Sequence, residues 1–543
     1  MKFLIKSMVC SVLFASLFVS CVDEYEPTQV ATQEQVANSS AGTAAIAAAI
    51  PVNMTYPYSV YGHGNNYGFD FGYPGIMSAV DHMTGEVVTC GGDDMFGYDW
   101  FTYYSTGMMM RPTGQPTVFL WNCFYNFIKA ANDLIAVTNA AGEGISNSQK
   151  MYRGSAKAFR ALLYLDMARL YEALPAAASI SDYSIPEEVK GLTVPIITEN
   201  TTEEESRIMG RATREEMFNW ILAELDAAEA DLTEVPNDDK KMPTLAVVYG
   251  LQARAYMWLG GFDNAKYADA AIAARKAIDA VGALPMSEAV WGDKITGFNT
   301  DNDSWMLYLP QAAEGVTNLV NFVAWRSSEA TWGYGNLVQQ GITSKLYEKI
   351  SDTDWRKGSF VGPGAPYSAY NTLTPPAAWD NMVPYRSIKF RPNAGEIMDY
   401  KVGNASNIVL MRVEEMYLIE AEAKAHADAA AGFSLLKDFM ATRDANYASR
   451  PQPTDVVKEI ILQKRIEFWG EGIIFYDYKR LGMGVETGYV GTNVPTEARY
   501  DVDGRMPWWN PCIPEYDTNQ NPTLKAQQNP DPTVPKVKLW TGK

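Results

Sequence analysis

Apolar residues recur at helical spacing through much of the chain. In MYRGSAKAFRALLYLDMARLY (151–171), Ala158, Ala161, Leu162, Leu165 and Ala168 share one face, and Leu174-Pro175 stops the helix. In RATREEMFNWILAELDAAEADL (211–232), Phe218, Ile221, Leu222 and Leu225 form the stripe, and Thr213 with Glu216 three residues on forms a capping box. Residues 244–281 predict a helical pair, TLAVVYGLQARAYMWLG then DNAKYADAAIAARKAIDAV, joined through Gly260-Gly261-Phe262-Asp263. Ala253, Leu259, Gly260, Ala265 and Ala271 make it look like a tetratricopeptide unit, in which small residues let two helices pack closely and Gly260 permits the turn. Further helices are predicted over 409–427, 432–446 and 454–469, with Gly470 and Gly472 ending the last.

The helical period fades between about 282 and 405, and again over 481–543. Trp305-Met306-Leu307-Tyr308-Leu309 predicts a strand that Pro310 ends. The rest of 282–405 is rich in Gly, Pro, Asn and aromatics. Six of the fourteen Trp fall there: Trp291, Trp305, Trp325, Trp332, Trp355 and Trp379.

The start of the chain reads as an address. Lys2 and Lys6 precede an apolar run from Ser7 to Val19, too short to span a bilayer comfortably. The run ends Phe18-Val19-Ser20-Cys21, which resembles a bacterial lipobox with Phe18 where Leu is usual. This predicts a signal peptide over 1–20 and lipidation of Cys21, with several acyl chains giving a stable anchor. Asp23, Glu24 and Glu26 just after the Cys resemble a surface-export signal. Residues 21–45, polar then Ala-rich, predict a lipidated flexible tether.

Composition narrows the function. The 543 residues carry 64 Asp+Glu against 45 Lys+Arg, a net charge of −19. Without Lys2 and Lys6 the balance is 43 against 64, or −21. A nucleic-acid partner is excluded, since phosphate affinity comes largely from Lys and Arg. At 47% hydrophobic and 20% charged the chain is a folded protein, neither disordered nor collagenous. Its length alone would suggest three or four domains at about 150 residues each. Three His (His63, His82, His426) leave little for His-based catalysis or metal binding. With Cys10 removed and Cys21 acylated, Cys90, Cys123 and Cys512 allow at most one disulfide and read as small buried thiols.

The ordered helices resemble the SusD/RagB family, surface lipoproteins that partner TonB-dependent nutrient transporters in Bacteroidetes. The resemblance is carried by KAFRALLYLDMARLYEALP (157–175), RATREEMFNWILAELDAAEADL (211–232), VLMRVEEMYLIEAEAKAHA (409–427) and EIILQKRIEFWGEGIIFYDYKRLG (459–482). IPEYDTNQNP (513–522) and QQNP (527–530) resemble the family's final strand and loop. Ile473-Ile474 and Leu481 depart from its pattern, where an Arg and a Trp are usual. The resemblance implies a mainly α, SusD-like fold forming one domain over 46–543. Tetratricopeptide-type helical pairs, mainly within 115–281 and 409–480, are its scaffold. A loop-rich, ligand-bearing half, about 60–114, 282–405 and 481–543, packs on it. It further implies an outer-membrane, cell-surface protein that binds an oligosaccharide or polysaccharide and delivers it to a SusC-like TonB-dependent transporter. Peptides are the minority ligand class.

Catalytic motifs are absent from the sequence: no GxSxG, HExxH, P-loop or GxGxxG stands in a suitable context, and no cofactor or metal is expected. Glu414-Glu415 and Glu420 to Glu422 read as solvated or ion-paired carboxylates, with Arg412 and Lys424 nearby, and not as a glycosidase pair. Lys479-Arg480 near Asp477 reads as a structural ion pair. Asp301-Asn302-Asp303-Ser304 lacks the Gly and distal Glu of a calcium loop and reads as a turn, as does Gly91-Gly92-Asp93-Asp94. The aromatics are the candidates, because sugar rings present C–H faces that stack on Trp and Tyr while hydroxyls bond to neighbouring polar groups. Two stretches fit. One is GYDWFTYY (97–104), with Tyr98, Asp99 and Trp100 beside Asp93 and Asp94. The other is WRSSEATWGYGN (325–336), with Trp325, Trp332 and Tyr334 flanking Arg326, Glu329 and Asn336. Filling of the irregular half's core is the competing fate of each Trp. A surface glycosidase and a scaffold binding only the transporter are the competing functions.

Overall fold

The structure, a computed structural model, describes residues 33–62, 67–90, 101–313, 319–367, 372–379 and 382–542. It is mainly helical. The scaffold runs through α1 (Ser40–Asn53), α2 (Tyr73–Thr84), α3 (Gln115–Ala140), α4 (Asn147–Tyr171), α5 (Arg214–Glu234), α6 (Leu245–Gly260) and α7 (Lys266–Val281). It resumes with α8 (Val413–Ala425), α9 (Ala429–Met440), α10 (Val456–Glu467) and α11 (Ile474–Leu481). Each helix of the series α3 to α9 packs on the next, and α10 closes against α8 and α9.

Local chemistry accounts for the boundaries. At the start of α5 the Thr213 amide donates to Glu216 Oε2 at 2.8 Å, and the Glu216 amide donates back to Thr213 Oγ1 at 3.2 Å. These bonds satisfy two donors that a helix start leaves free. Gly260 ends α6 where a methyl group would lie 2.5 Å from the Tyr267 ring, so α7 approaches as closely as it does only because no side chain intervenes.

Two predicted elements take another form. The 409–427 stretch begins as a strand, β4 (Ile408–Arg412), before turning into α8. With β1 (Val87–Thr89), β2 (Trp305–Leu309) and β3 (Gln340–Ile342) it makes two antiparallel pairs, β1 with β3 and β2 with β4. A third short pair joins β5 (Val485–Glu486) to β6 (Asp501–Val502). Trp305 stands opposite Arg412 and Leu309 opposite Ile408. Residues 513–522, expected as a final strand, instead form two short helices, Glu515–Gln520 and Pro522–Ala526, broken at Asn521.

Part of the stretch expected as a tether is helical. Gln33–Ala37 is helical, and α1 begins at Ser40 with Ser39 as its cap. Thr43, Ala47 and Ile50 are buried as α1 packs on α3 and α4. Alanine, read there as linker, is the best helix former and here supplies a flat contact face. Cys21, the signal segment and residues 21–32 lie outside the described residues. Cys90, Cys123 and Cys512 are buried and unpaired. No helix among the described residues is long and apolar enough to cross a membrane.

The junction between the scaffold and the irregular half is ionic. Glu467 at the end of α10 is fully buried and meets three guanidinium groups: Arg412 at 2.7 Å, Arg356 at 2.9 Å and Arg443 at 2.9 Å. Glu471 accepts from Arg412 at 2.9 Å and from Lys389 at 2.6 Å. Burial alone would raise both carboxyls, but the surrounding cations hold them below the usual range. Burial also pushes Lys389 down to about 8. A second cluster pairs Glu422 with Lys464 and Arg480, and Arg480 with Asp477 at 2.7 Å. Lys479 makes no such pair among the described residues. Its ammonium donates to the carbonyls of Leu170 at 2.6 Å and Trp509 at 2.7 Å, tying α11 to the end of α4.

Candidate functional site

The 325–337 loop is built in two layers. In the lower layer Asn321 caps a short helix, Phe322–Arg326, whose last two side chains point into the core. Trp325 is fully buried. Its indole N–H donates to the Gly68 carbonyl at 2.7 Å, its ring meets Phe101 edge-on at 4.9 Å, and Tyr334 stacks on it at 4.3 Å and 6°. Arg326 is equally enclosed, donating to Asp81 Oδ2 at 2.9 Å and Gln340 Oε1 at 2.9 Å. Burial raises Asp81 to about 7 and lowers Arg326 to about 10. Trp325 and Arg326, expected to meet ligand, therefore form the foundation of the loop. Glu329 joins them there: it is buried against Arg391, and it accepts from the Thr372 hydroxyl and from the Leu373 amide at 2.7 Å.

The upper layer reaches the surface. Gly333 takes φ +87°, and a methyl group on Gly335 would lie 2.4 Å from the Ser327 carbonyl. The two glycines let the chain fold flat over the Phe322–Arg326 turn, which lays Tyr334 on Trp325. Trp332 is half-buried, with its ring edge on Gly403, where a methyl group would fall 2.4 Å from Trp332 Cζ2. The Trp332 indole N–H is buried and finds no hydrogen-bond partner among the described residues. Asn336 is exposed, and its side-chain amide points to the Thr331 carbonyl at 3.5 Å. Around them Leu337, Met398, Val402 and Ile295 stand open, Met398 at 73% exposure. Trp332, Tyr334 and Asn336 thus share one rim.

Tyr98, Asp99 and Trp100, with Asp93 and Asp94, lie outside the described residues. Both neighbours of that segment are anchored beneath the 325–337 loop. The Cys90 amide donates to the Gln339 carbonyl at 2.6 Å, and Phe101 packs on Trp325. The two stretches singled out in the sequence are rooted side by side.

Sequence reasoning missed a cleft of about 190 Å³ between residues 288–294 and 355–359. Its walls include Trp291 and Trp355, set edge to face at 5.3 Å and 72°. Both were visible as members of the Trp-rich segment, but 64 positions separate them and no local pattern joins them.

Other expected chemistry resolves into structure. Glu415 pairs with Arg254 at 2.7 Å and Glu420 with Arg275, so their cations come from α6 and α7; Lys424 is not the partner. Arg412 does reach Glu414, at 3.3 Å. Asn302 accepts from the Ser304 amide at 3.0 Å, making the 301–304 stretch a turn into β2. His82 is buried on Phe101 and pushed down to about 3 by that burial, and His426 stacks on Tyr267 at 3.7 Å. His63 lies outside the described residues. No group of three or more His, Cys, Asp or Glu among the described residues could hold a metal ion.

Helical pairs carrying a rim of aromatic loops define the class: a mainly α scaffold with an irregular half set on it. Residues 324–531 match the SusD family model. No curated protein matches it in sequence. Among solved structures, a SusD-like carbohydrate binding protein from Bacteroides vulgatus is 21% identical, with a TM-score of 0.67 over 92% of this chain and 99% of that one. Surface glycan-binding protein A from Bacteroides fluxus is 17% identical, with a TM-score of 0.64 over 91% and 99%. Surface glycan-binding protein A from Bacteroides thetaiotaomicron, in complex with laminarihexaose, is 15% identical, with a TM-score of 0.61 over 90% and 99%.

Proposed function

We propose that this chain is a non-catalytic cell-surface protein that binds a glycan and delivers it to a SusC-like TonB-dependent transporter, held to the outer membrane through lipidated Cys21. The observation that carries the reading is the shared fold with surface glycan-binding proteins over about nine-tenths of the chain. The geometry supports it. Trp332, Tyr334 and Asn336 present aromatic surface and amide groups on one rim, where C–H faces stack and hydroxyls find partners. Tyr98, Asp99 and Trp100 extend that rim in this proposal. The carboxylates of α8 are spent on guanidinium and ammonium groups, which favours binding over hydrolysis.

Calorimetry against a panel of polysaccharides and a peptide library tests the ligand class. Glycan binding that weakens in Trp332→Ala and Trp100→Ala, on protein with unchanged circular dichroism, is the expected result. Unchanged affinity in both variants discards this rim as the site, and binding confined to peptides reassigns the ligand. Release of Cys21→Ala protein from the membrane fraction, and co-purification of the wild type with an outer-membrane barrel, test anchor and partner.

A further inference from the structure

The cleft at Trp291 and Trp355 differs in kind from the aromatic rim. It is a recess with room for about six waters at their share of liquid volume. Its lining also includes Glu288, Asp293, Lys294, Ser359, Lys389 and Arg391. The charges select against ions of either sign. Lys389 is spent on the carbonyls of Glu467 at 3.0 Å and Trp469 at 2.9 Å and on Glu471, while Arg391 pairs with Glu329. An anion would therefore find Lys389 and Arg391 already engaged, and the exposed carboxylates of Glu288 and Asp293 besides. A cation would meet Lys294 beside those carboxylates. A neutral, polyhydroxylated ring meets carboxylate acceptors at the mouth and indole edges on the wall, with Trp355 half-exposed.

The cleft also lies on a short path to the rim. Arg391 lines it, and five residues later the Glu396 carbonyl sits against Gly403, beside the Trp332 ring. Five residues span at most about 18 Å. Between the two, Ile295 packs at Gly395 and the exposed Met398 follows. That span is no longer than a short oligosaccharide.

We propose that this cleft receives a terminal pyranose ring of the glycan whose following rings cross Ile295 and Met398 to Trp332. The proposal rests on the glycan reading above and adds chain-end recognition to it. Gly358 provides the test. It lines the cleft, it is exposed, and a side chain added there meets nothing within 4 Å. Gly358→Trp fills the recess without disturbing the packing, and Gly358→Leu serves if the larger residue lowers the melting temperature. The probes are linear hexasaccharides of glucose, mannose, xylose and galactose, laminarihexaose among them, titrated by calorimetry. The expected result is at least a tenfold loss of affinity for the bound hexasaccharide in the filled variant, with about a threefold loss in Glu288→Gln. Unchanged affinity in the filled variant, alongside weakened binding in Trp332→Ala, overturns the chain-end cleft alone. Failure of the wild-type protein to bind any glycan overturns the parent reading and this one with it.

Discussion

Glu467 and Trp332 depart from opposite habits. Glutamates are mostly exposed, yet Glu467 is enclosed and holds three arginines together. A tryptophan usually gives its ring to the core and its N–H to a partner, yet Trp332 lies half-open with that N–H unpartnered among the described residues. The charged cluster therefore belongs to the framework, and the aromatic rim is the proposed recognition surface. Charge marks function poorly in this molecule, because its strongest charges are consumed by one another.

The contrast is broken most forcefully at Glu467. Glu467→Ala strands Arg356, Arg412 and Arg443 in the interior, and removing one member of a buried pair costs about 3–5 kcal/mol. Urea unfolding is expected to show a loss at or above the top of that range; a shift under about 1 kcal/mol, the scale of a surface pair, refutes the framework role. Trp325→Ala comes next, at about 3–5 kcal/mol for a large core side chain. Its effect on glycan affinity should follow only from disorder of Tyr334 above it.

Acidity separates the two regions by a different route. Glu422, Glu467 and Glu471 are raised by burial but held low on balance by Arg480, Arg443 and Arg412 respectively, with other cations assisting. Their folded pKa values lie below the unfolded value of about 4.3, so the unfolded chain takes up protons first as the pH falls. The stability they add is present above that value and is lost as the pH drops through the folded values. The urea midpoint should fall steeply below about pH 4.3 from this source. Trp332 and Asn336 carry no titrating group, and glycan affinity should stay flat from pH 5 to 8.

The smaller effects sharpen the rim. Trp332→Ala should leave stability within about 1 kcal/mol of wild type. It should cost about tenfold in affinity, or about 1.4 kcal/mol. Asn336→Ala should cost about fivefold, the size of one hydrogen bond. A larger stability loss than affinity loss in Trp332→Ala would move that residue from the rim to the core.

Much of the scaffold was legible because helices write themselves locally. The stripe from Ala158 to Ala168, the Thr213/Glu216 box and the Gly260 crossing each need only a few neighbours. The misses were settled at long range. VLMR at 409–412 suits a helix as well as a strand, and it becomes β4 because β2, a hundred residues earlier, offers an edge. Trp325 and Trp332 look alike in sequence, and their fates diverge because Gly68 and Phe101 arrive at one and Gly403 at the other. Whether Glu415 is solvated or paired is open in the sequence, because its partner Arg254 lies on α6, out of reach of any local pattern.

The β2–β4 pairing bears on how such a fold could acquire a new ligand. It brings Leu309 opposite Ile408, so the whole excursion from 310 to 407 leaves and re-enters the scaffold at one seam. A cassette with both ends stitched together can be exchanged at little loop-closure cost, since that entropy grows only with the logarithm of length. The seam is not the sole attachment, however. Arg356, Lys389 and Arg391 travel with the cassette, and the first two are cations that Glu467 and Glu471 require. A transplanted excursion that kept its aromatics but lost Arg356 and Lys389 would carry its specificity to a scaffold unable to hold it.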